Sequence, residues 1–526
     1  MQNDPEKLES NRRDQPPWNE MLLIVLLFFV FAGGEPPGVN ESHYLTKAKH
    51  YWNPDWCAGD FFLDAADAHL VFYWTVGWLT RFLSLTTTAW VLRLVTWCWL
   101  AFTWWRMSRT VVSQWGSGLL AAAIALTGWH WGHLSGEWVV GGAEAKGFAF
   151  GFVFLALADV ADGKWTRPWV WLGLASAFHV LVGGWSVVAL SLAWALEAKT
   201  PENRLARIGP WIIAGGALSL PGLIPTAALV MQGDPAAVRE AGIAYVYERL
   251  PHHLVFHRFS WLRVMTHLFT IGLWLAMWRA VRDHAPLGRL NRVVLGTVII
   301  ATVGVVVDRL SWHDRGLSAA LLRFYWFRMT DALVPCGLAL STAQFHGTGQ
   351  PANDRSTARS ALLITCLIAA MICVGQVFFA RRADPRPEAL WQGDRTGLGL
   401  TSGDRYGDWR DACQWIREST PTDALILGPG NLQTLRWYAD RGEVCTWKDI
   451  PQDVTGILEW RRRRRLIRET GLYHPSSGMI DQDALVRLVE SVRFGFVVLA
   501  CNQPLDSDLF RLRYRNRTLT IYEQVP

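Results

Sequence analysis

The sequence has eight cysteines and fourteen histidines but no Cys-x-x-Cys pair and no Cys/His ligand spacing. That pattern argues against a zinc site and against an obligatory disulfide framework. Net charge is small for 526 residues, +6, and the basic residues are scattered over many short loops, so nothing points to a nucleic-acid partner. Internal repeats and low-complexity segments are missing. Gly428-Pro429-Gly430 lacks the Lys-Ser/Thr that a phosphate loop needs and reads as a plain turn. The first apolar run ends at Gly33-Gly34-Glu35-Pro36-Pro37 without a small-residue cleavage pattern, which predicts a retained signal anchor.

Apolar residues are what the chain has in abundance, and they are bunched. Mean hydropathy is only +0.13 because a polar tail of roughly 145 residues dilutes a strongly apolar stretch from Met21 to about Ala380. Windows long enough to span a bilayer fall near 17–33, 88–105, 115–130, 147–161, 169–180, 183–196, 210–230, 264–278, 293–307, 317–343 and 361–380. The expectation is therefore a polytopic α-helical membrane protein of about eleven spans with a C-terminal soluble α/β domain. Many of the 31 tryptophans, including Trp104, Trp105, Trp129, Trp131, Trp261 and Trp278, lie at window ends and read as interfacial anchors.

Lys and Arg are about twice as dense in the segments that would share a side with Met1 as in the alternate ones. This predicts a cytoplasmic N-terminus (1–20), a transmembrane domain (21–380) with a long outer loop (34–87), and an extracytoplasmic domain (384–526). The tail reads as alternating helices and strands. Trp409, Cys413 and Ile416 form one helical stripe, Ala424 to Leu427 and Phe494 to Ala500 are apolar strands, and Val444 to Trp447 is a further strand. Asn431 caps a helix reaching Ala439, Leu485 to Val492 is helical, and Arg511 to Glu523 is a terminal hairpin. The run Arg461 to Arg465 reads as a solvated helix face.

The outer loop carries the most chemistry. Glu35, Glu41, Asp55, Asp60, Asp64 and Asp67 stand among His43, His50 and His69. A loop this long is functional or disordered, and this one is too aromatic for disorder. If 60–69 is helical, Asp60, Asp64 and Asp67 share one face, where repulsion asks for a cation, water or a basic partner. Leu70 to Leu85, with Phe72-Tyr73-Trp74 and Trp78, reads as a helix lying in the interface.

With Asn40-Glu41-Ser42-His43-Tyr44 just beyond the first span, Arg93-Leu94 in the second, and tail motifs such as Trp415 to Pro421 and Trp447-Lys448-Asp449-Ile450-Pro451, the chain resembles the GT-C superfamily of membrane glycosyltransferases. That superfamily includes protein O-mannosyltransferases and the aminoarabinose transferases that modify lipid A. It departs from some relatives in lacking a Lys-Pro-Pro-Leu-type stretch and in showing a single Glu41 rather than an acidic pair. The resemblance implies transfer of a sugar from a polyprenyl-phosphate donor, at the outer membrane face and among membrane lipids, to an acceptor the sequence does not identify. Glu41 would be the base, with Asp67 second. Arg323 and Arg328 would hold the leaving phosphate. Glu144, Lys146 and His179, with His43, His69, Asp60 and Asp64 of the loop, would complete the substrate site; His130 and His133 are weaker candidates. The sequence identifies no cofactor, and clustered carboxylates leave a divalent metal open.

A transporter or an envelope assembly scaffold is the competing class. A transporter places ionisable groups or broken helices near the midplane in a repeated pattern, whereas here the charged candidates gather at the outer ends. Transfer of phosphoethanolamine is a third reading, disfavoured by the missing metal-ligand spacing.

Overall fold

The structure is a computed structural model and describes residues 17–197, 200–231, 233–347, 355–384, 386–391, 403–430, 432–473 and 480–525. Ten of the predicted windows fall on the helices Pro17–Ala32, Leu85–Val111, Ser117–Trp131, Ala145–Ala161, Arg167–Phe178, Val180–Leu196, Leu205–Met231, Trp261–Ala280, Ala285–Arg309 and Arg355–Ala383. The window 317–343 is two helices, Arg315–Leu322 and Arg328–Gly347, because the chain turns through Tyr325 at φ 56°. Among the described residues, four helices are long and apolar enough to cross a membrane alone: Leu85–Val111, Leu205–Val230, Ala285–Trp312 and Ser360–Ala383. Helix length alone does not confirm the expected count of about eleven crossings. Arg167–Phe178, twelve residues long, rises only about 18 Å at the α-helical rise of about 1.5 Å per residue.

Close packing compensates. A Cβ on Gly173 would lie 2.2 Å from the Gly215 carbonyl oxygen, and one on Gly215 would lie 2.2 Å from that of Trp169. The short helix and Leu205–Met231 thus meet backbone to backbone, as small residues allow where lipid supplies no hydrophobic drive. Two tryptophans expected at the interface are inside the bundle instead. The Trp104 indole donates to the Gly118 carbonyl at 2.9 Å and the Trp129 indole to that of Ala332 at 2.8 Å, so each buried N–H has a partner on another helix. Trp131 and Trp261 remain exposed.

The outer loop begins with a helix at Glu41–Trp52, but 60–69 is a series of turns. Asp60 explains the difference. Its Oδ1 accepts from the backbone N–H groups of Phe62 and Leu63, both at 2.9 Å, and this local capture competes with helix. The three carboxylates diverge, each to its own basic partner: Asp60 to Arg436, Asp64 to His50 and Asp67 to Lys47. Beyond them, the short helix Leu70–Thr75 and the tight turn Gly77–Arg81 leave Trp74, Trp78 and Phe82 exposed.

The tail builds a five-stranded sheet from β1 (Leu425–Leu427), β2 (Gly442–Glu443), β3 (Phe496–Ala500), β4 (Phe510–Arg515) and β5 (Leu519–Gln524), in the order β2-β1-β3-β5-β4. β1 runs parallel to β2 and β3, while β5 is antiparallel to both β3 and β4. All of β3 is buried, and alternate residues face opposite layers. Val497 and Leu499 pack with Trp460 and Leu488, whereas Phe496 and Val498 pack with Trp409, Cys413 and Ile416. The strand predicted at Val444 to Trp447 is formed two residues earlier, at Gly442–Glu443, and the helix reaching Ala439 starts at Leu435; its predicted cap, Asn431, lies outside the described residues. The arginine run lies on the helix Val454–Glu469, but Arg461 pairs with Glu240 and Glu248 of the membrane region rather than with water alone.

Sheet and outer loop are joined by buried charge. Arg436 reaches Asp60 at 2.5 Å and Asp449 at 2.6 Å, and Glu443 lies 3.6 Å away. Asp449 also meets His43 at 3.2 Å, and the Glu443 N–H donates to Asp60 at 2.7 Å. With two carboxylates already satisfying one guanidinium, burial pushes the Glu443 carboxyl up to about 8, against the pull of Arg436 and with Asp60 and Asp449 adding to the rise.

Candidate functional site

A cavity of about 1710 Å³ opens between one end of the helix bundle, the outer loop and loops of the tail domain. Its walls are the start of Glu41–Trp52, the segment 129–146, the turn of chain at Ala244–Arg249, the break between Leu322 and Arg328, the ends of Leu205–Met231 and Arg355–Ala383, and the tail loop 447–452.

Asp331 positions the second wall. Its carboxylate accepts from the Leu134 N–H at 2.6 Å and from the N–H and hydroxyl of Ser135, both at 2.8 Å, and so folds the 132–144 segment over the cavity. Glu137 is thereby placed between two cations, with Lys146 at 2.8 Å and Arg328 at 2.6 Å. Arg328 also meets His179 at 3.1 Å, and the other ring nitrogen of His179 caps the helix that follows by accepting from the Val182 N–H. Lys146 further lies 3.6 Å from the Trp138 ring centroid. Glu144 accepts from Asn40 at 3.0 Å and Trp138 at 3.2 Å, with Lys146 at 3.5 Å. Tyr44 meets His69 at 3.3 Å, and burial, then the charges of His43, Arg328 and Lys47, push His69 down to about 3, holding it neutral.

Of the residues singled out from sequence, the fold brings Glu144, Lys146, His179, Arg323, Arg328, His43 and His69 to this one cavity, and His130 and His133 join them. Asp60, Asp64 and Asp67 do not line it. Neither does Glu41, which is fully buried behind the wall. Its Oε1 accepts from Arg93 at 2.6 Å and the Ala143 N–H at 2.7 Å, and its Oε2 accepts from Arg93 and the Gly38 N–H, both at 2.6 Å. Burial alone would raise its pKa, but Arg93 and the two backbone donors outweigh that and lower it. Four donors occupy the four lone-pair directions of a carboxylate.

Arg323 is different. It faces the cavity half-buried and has no ion pair or side-chain hydrogen bond among the described residues. Sequence reading missed Glu137, Arg249, Glu388 and the facing Tyr245 and Tyr325, whose hydroxyls lie 3.3 Å apart. Tyr245 and Arg249 share a π-helical turn, Ala244–Arg249, a widened geometry that concentrates at functional sites. The sequence signal was slight: a Tyr-x-Tyr-Glu-Arg run in a loop, and one Glu388 past the last span, where burial raises its carboxyl against the pull of Arg381. Among the described residues no group of three His, Cys, Asp or Glu side chains is arranged to hold a metal ion. Of the cavity carboxylates, Glu137 and Glu144 are committed to Lys146, Arg328, Asn40 and Trp138, and Glu248 to Arg461.

The helix bundle, the first long loop and the tail domain together share their fold with a solved archaeal oligosaccharyltransferase structure. The similarity is to the oligosaccharyltransferase AglB of Archaeoglobus fulgidus, solved in complex with an inhibitory peptide and a dolichol-phosphate: TM-score 0.50 and 10% identity, over 92% of this chain and 69% of that one. Other structures of the Archaeoglobus fulgidus oligosaccharyltransferase, in the apo form and with Zn and sulfate, match at TM-scores 0.46 and 0.45, with 11% and 12% identity, over 92% of this chain and 69% and 67% of theirs. A family described as a domain of unknown function, DUF6798, matches residues 407–467. No curated protein matches by sequence.

Proposed function

We propose that the chain transfers a sugar from a polyprenyl-phosphate-linked donor to an acceptor hydroxyl at the extracytoplasmic face of a bacterial inner membrane, with residues 1–20 cytoplasmic, 21–380 forming the transmembrane domain and 384–526 the outer domain. One observation carries this reading: Arg323, a cation without a carboxylate partner among the described residues, opens into the same cavity as the buried carboxylate Glu144. The acceptor oxygen attacks the anomeric carbon, the bond from that carbon to the phosphate oxygen breaks, and the phosphate departs with the electron pair. Arg323 stabilises the charge that develops on it, and Arg328, already neutralised by Glu137, orients it. The acceptor proton goes to a carboxylate. Glu41, with both oxygens saturated, serves to hold the loop through Arg93, and the base role passes to Glu144, whose three longer contacts leave a lone pair for the proton. His43, His69 and His179 line the sugar side.

The test is transfer of radiolabelled sugar from polyprenyl phosphate by the reconstituted chain. Arg323→Ala should raise the KM for the donor at least tenfold, and Glu144→Gln should cut turnover at least a hundredfold with donor affinity intact. Full turnover by Glu144→Gln would remove it as the base. Normal export or assembly phenotypes with no transfer in any variant would favour a transporter or scaffold.

A further inference from the structure

The cavity has a second cationic wall that the transfer chemistry just described leaves unused. Arg249 ends the π-helical turn, is buried, and lines the cavity. Its Nη2 donates to the Lys448 carbonyl at 3.2 Å, and its guanidinium sits 5.4 Å from the Trp447 ring centroid. Its Nε is buried with no hydrogen-bond partner, and no carboxylate pairs with it among the described residues. Lys448 lines the same wall, and its ammonium is anchored by the Val39 carbonyl at 2.6 Å. The adjacent acid, Asp449, is already taken by Arg436 and His43. Arg464 also lies 5.5 Å from the Trp447 ring centroid.

A buried guanidinium without a counter-ion is costly, and a second cation beside it raises the cost. Burial, assisted by Arg249 and opposed by Asp449 and, more weakly, by Glu144 and Glu388, pushes the Lys448 ammonium down to about 7. The arrangement is electrostatically incomplete, and an anion of the size of a phosphate or carboxylate completes it.

We infer that Arg249 and Lys448, framed by Trp447, form an anion-binding subsite distinct from Arg323, which takes a phosphate or carboxylate group of a substrate bound against the tail domain. Binding of the anion rests on this geometry alone; only its identification as part of a glycosyl donor or acceptor rests on the proposed function.

Acetylation of Lys448 in the full-length chain in lipid nanodiscs, followed by mass spectrometry, reads the subsite locally and without turnover. Inorganic pyrophosphate should slow acetylation of Lys448 at least fivefold in the unsubstituted chain. Arg249→Gln should abolish that protection, Arg249→Lys should restore part of it, and Arg323→Ala should leave it within twofold. No protection in the unsubstituted chain, or protection lost in Arg323→Ala and kept in Arg249→Gln, would overturn the inference. Protection by a short-chain polyprenyl phosphate but not by D-glucuronate assigns the subsite to the lipid donor, and the reverse assigns it to an acidic sugar. Protection dependent on Arg249 in a chain that transfers no sugar would sink the proposed function and leave the subsite standing.

Discussion

Arg436 and Arg323 make opposite use of the same side chain. Arg436 is almost wholly buried at the seam between outer loop and tail, with Asp60 and Asp449 within 2.6 Å. Arg323 lies half-buried on the cavity wall with no carboxylate partner among the described residues. A guanidinium saturated by carboxylates holds structure together, since removing it leaves buried anions uncompensated. A guanidinium facing an empty space without a partner is available to a ligand. Glu41 and Glu144 repeat the contrast on the acidic side, one carboxylate closed by four donors and the other open to the cavity.

Breaking the seam should have the largest effect. Arg436→Met leaves Asp60 and Asp449 buried and unpaired, a cost of about 3–5 kcal/mol. Thermal melting in detergent and proteolysis of the tail should both report loss of docking; an unchanged melting temperature would make Arg436 dispensable. Next comes Glu41→Gln. It strips the charge facing Arg93 and should lower both melting temperature and activity, whereas loss of activity at full stability would return Glu41 to a direct catalytic role. Arg323→Ala sharpens the contrast from the other side, with stability within about 0.5 kcal/mol of the parent and donor binding weakened.

The pH effect is smaller and has a definite sign. Glu443 binds its proton more tightly folded than unfolded, so the stability it lends is present at acid pH and lost as pH rises from its ordinary 4.5 through about 8. Melting of the tail should therefore weaken over that range, and Glu443→Gln should flatten the profile. The smallest effect is expected at Trp104→Phe, which forfeits the indole bond to Gly118 at about 1 kcal/mol.

Local patterns reached far into the fold. The stripe Trp409, Cys413 and Ile416 is the buried face of its helix, and the run Phe494 to Ala500 contains the central strand. Both follow from periodicity, which needs no long-range information. Asp60, Asp64 and Asp67 could not be placed in the same way, because a side chain that caps its own turn hides helical spacing. Glu137 carried no signal of its own, and Arg249 only the slight one of its Tyr-x-Tyr-Glu-Arg run. Their meaning comes from Asp331 folding one wall and the tail closing another, contacts that join residues nearly two hundred positions apart.

The sequence alone settled that apolar helices are followed by a small α/β unit, because hydrophobic length and period are properties of neighbouring residues. It also named three of the cations and most of the histidines that meet at the cavity. Only the tertiary structure decided which charges are spent on each other and which remain for a ligand, since pairing depends on distances between segments that the chain order does not encode.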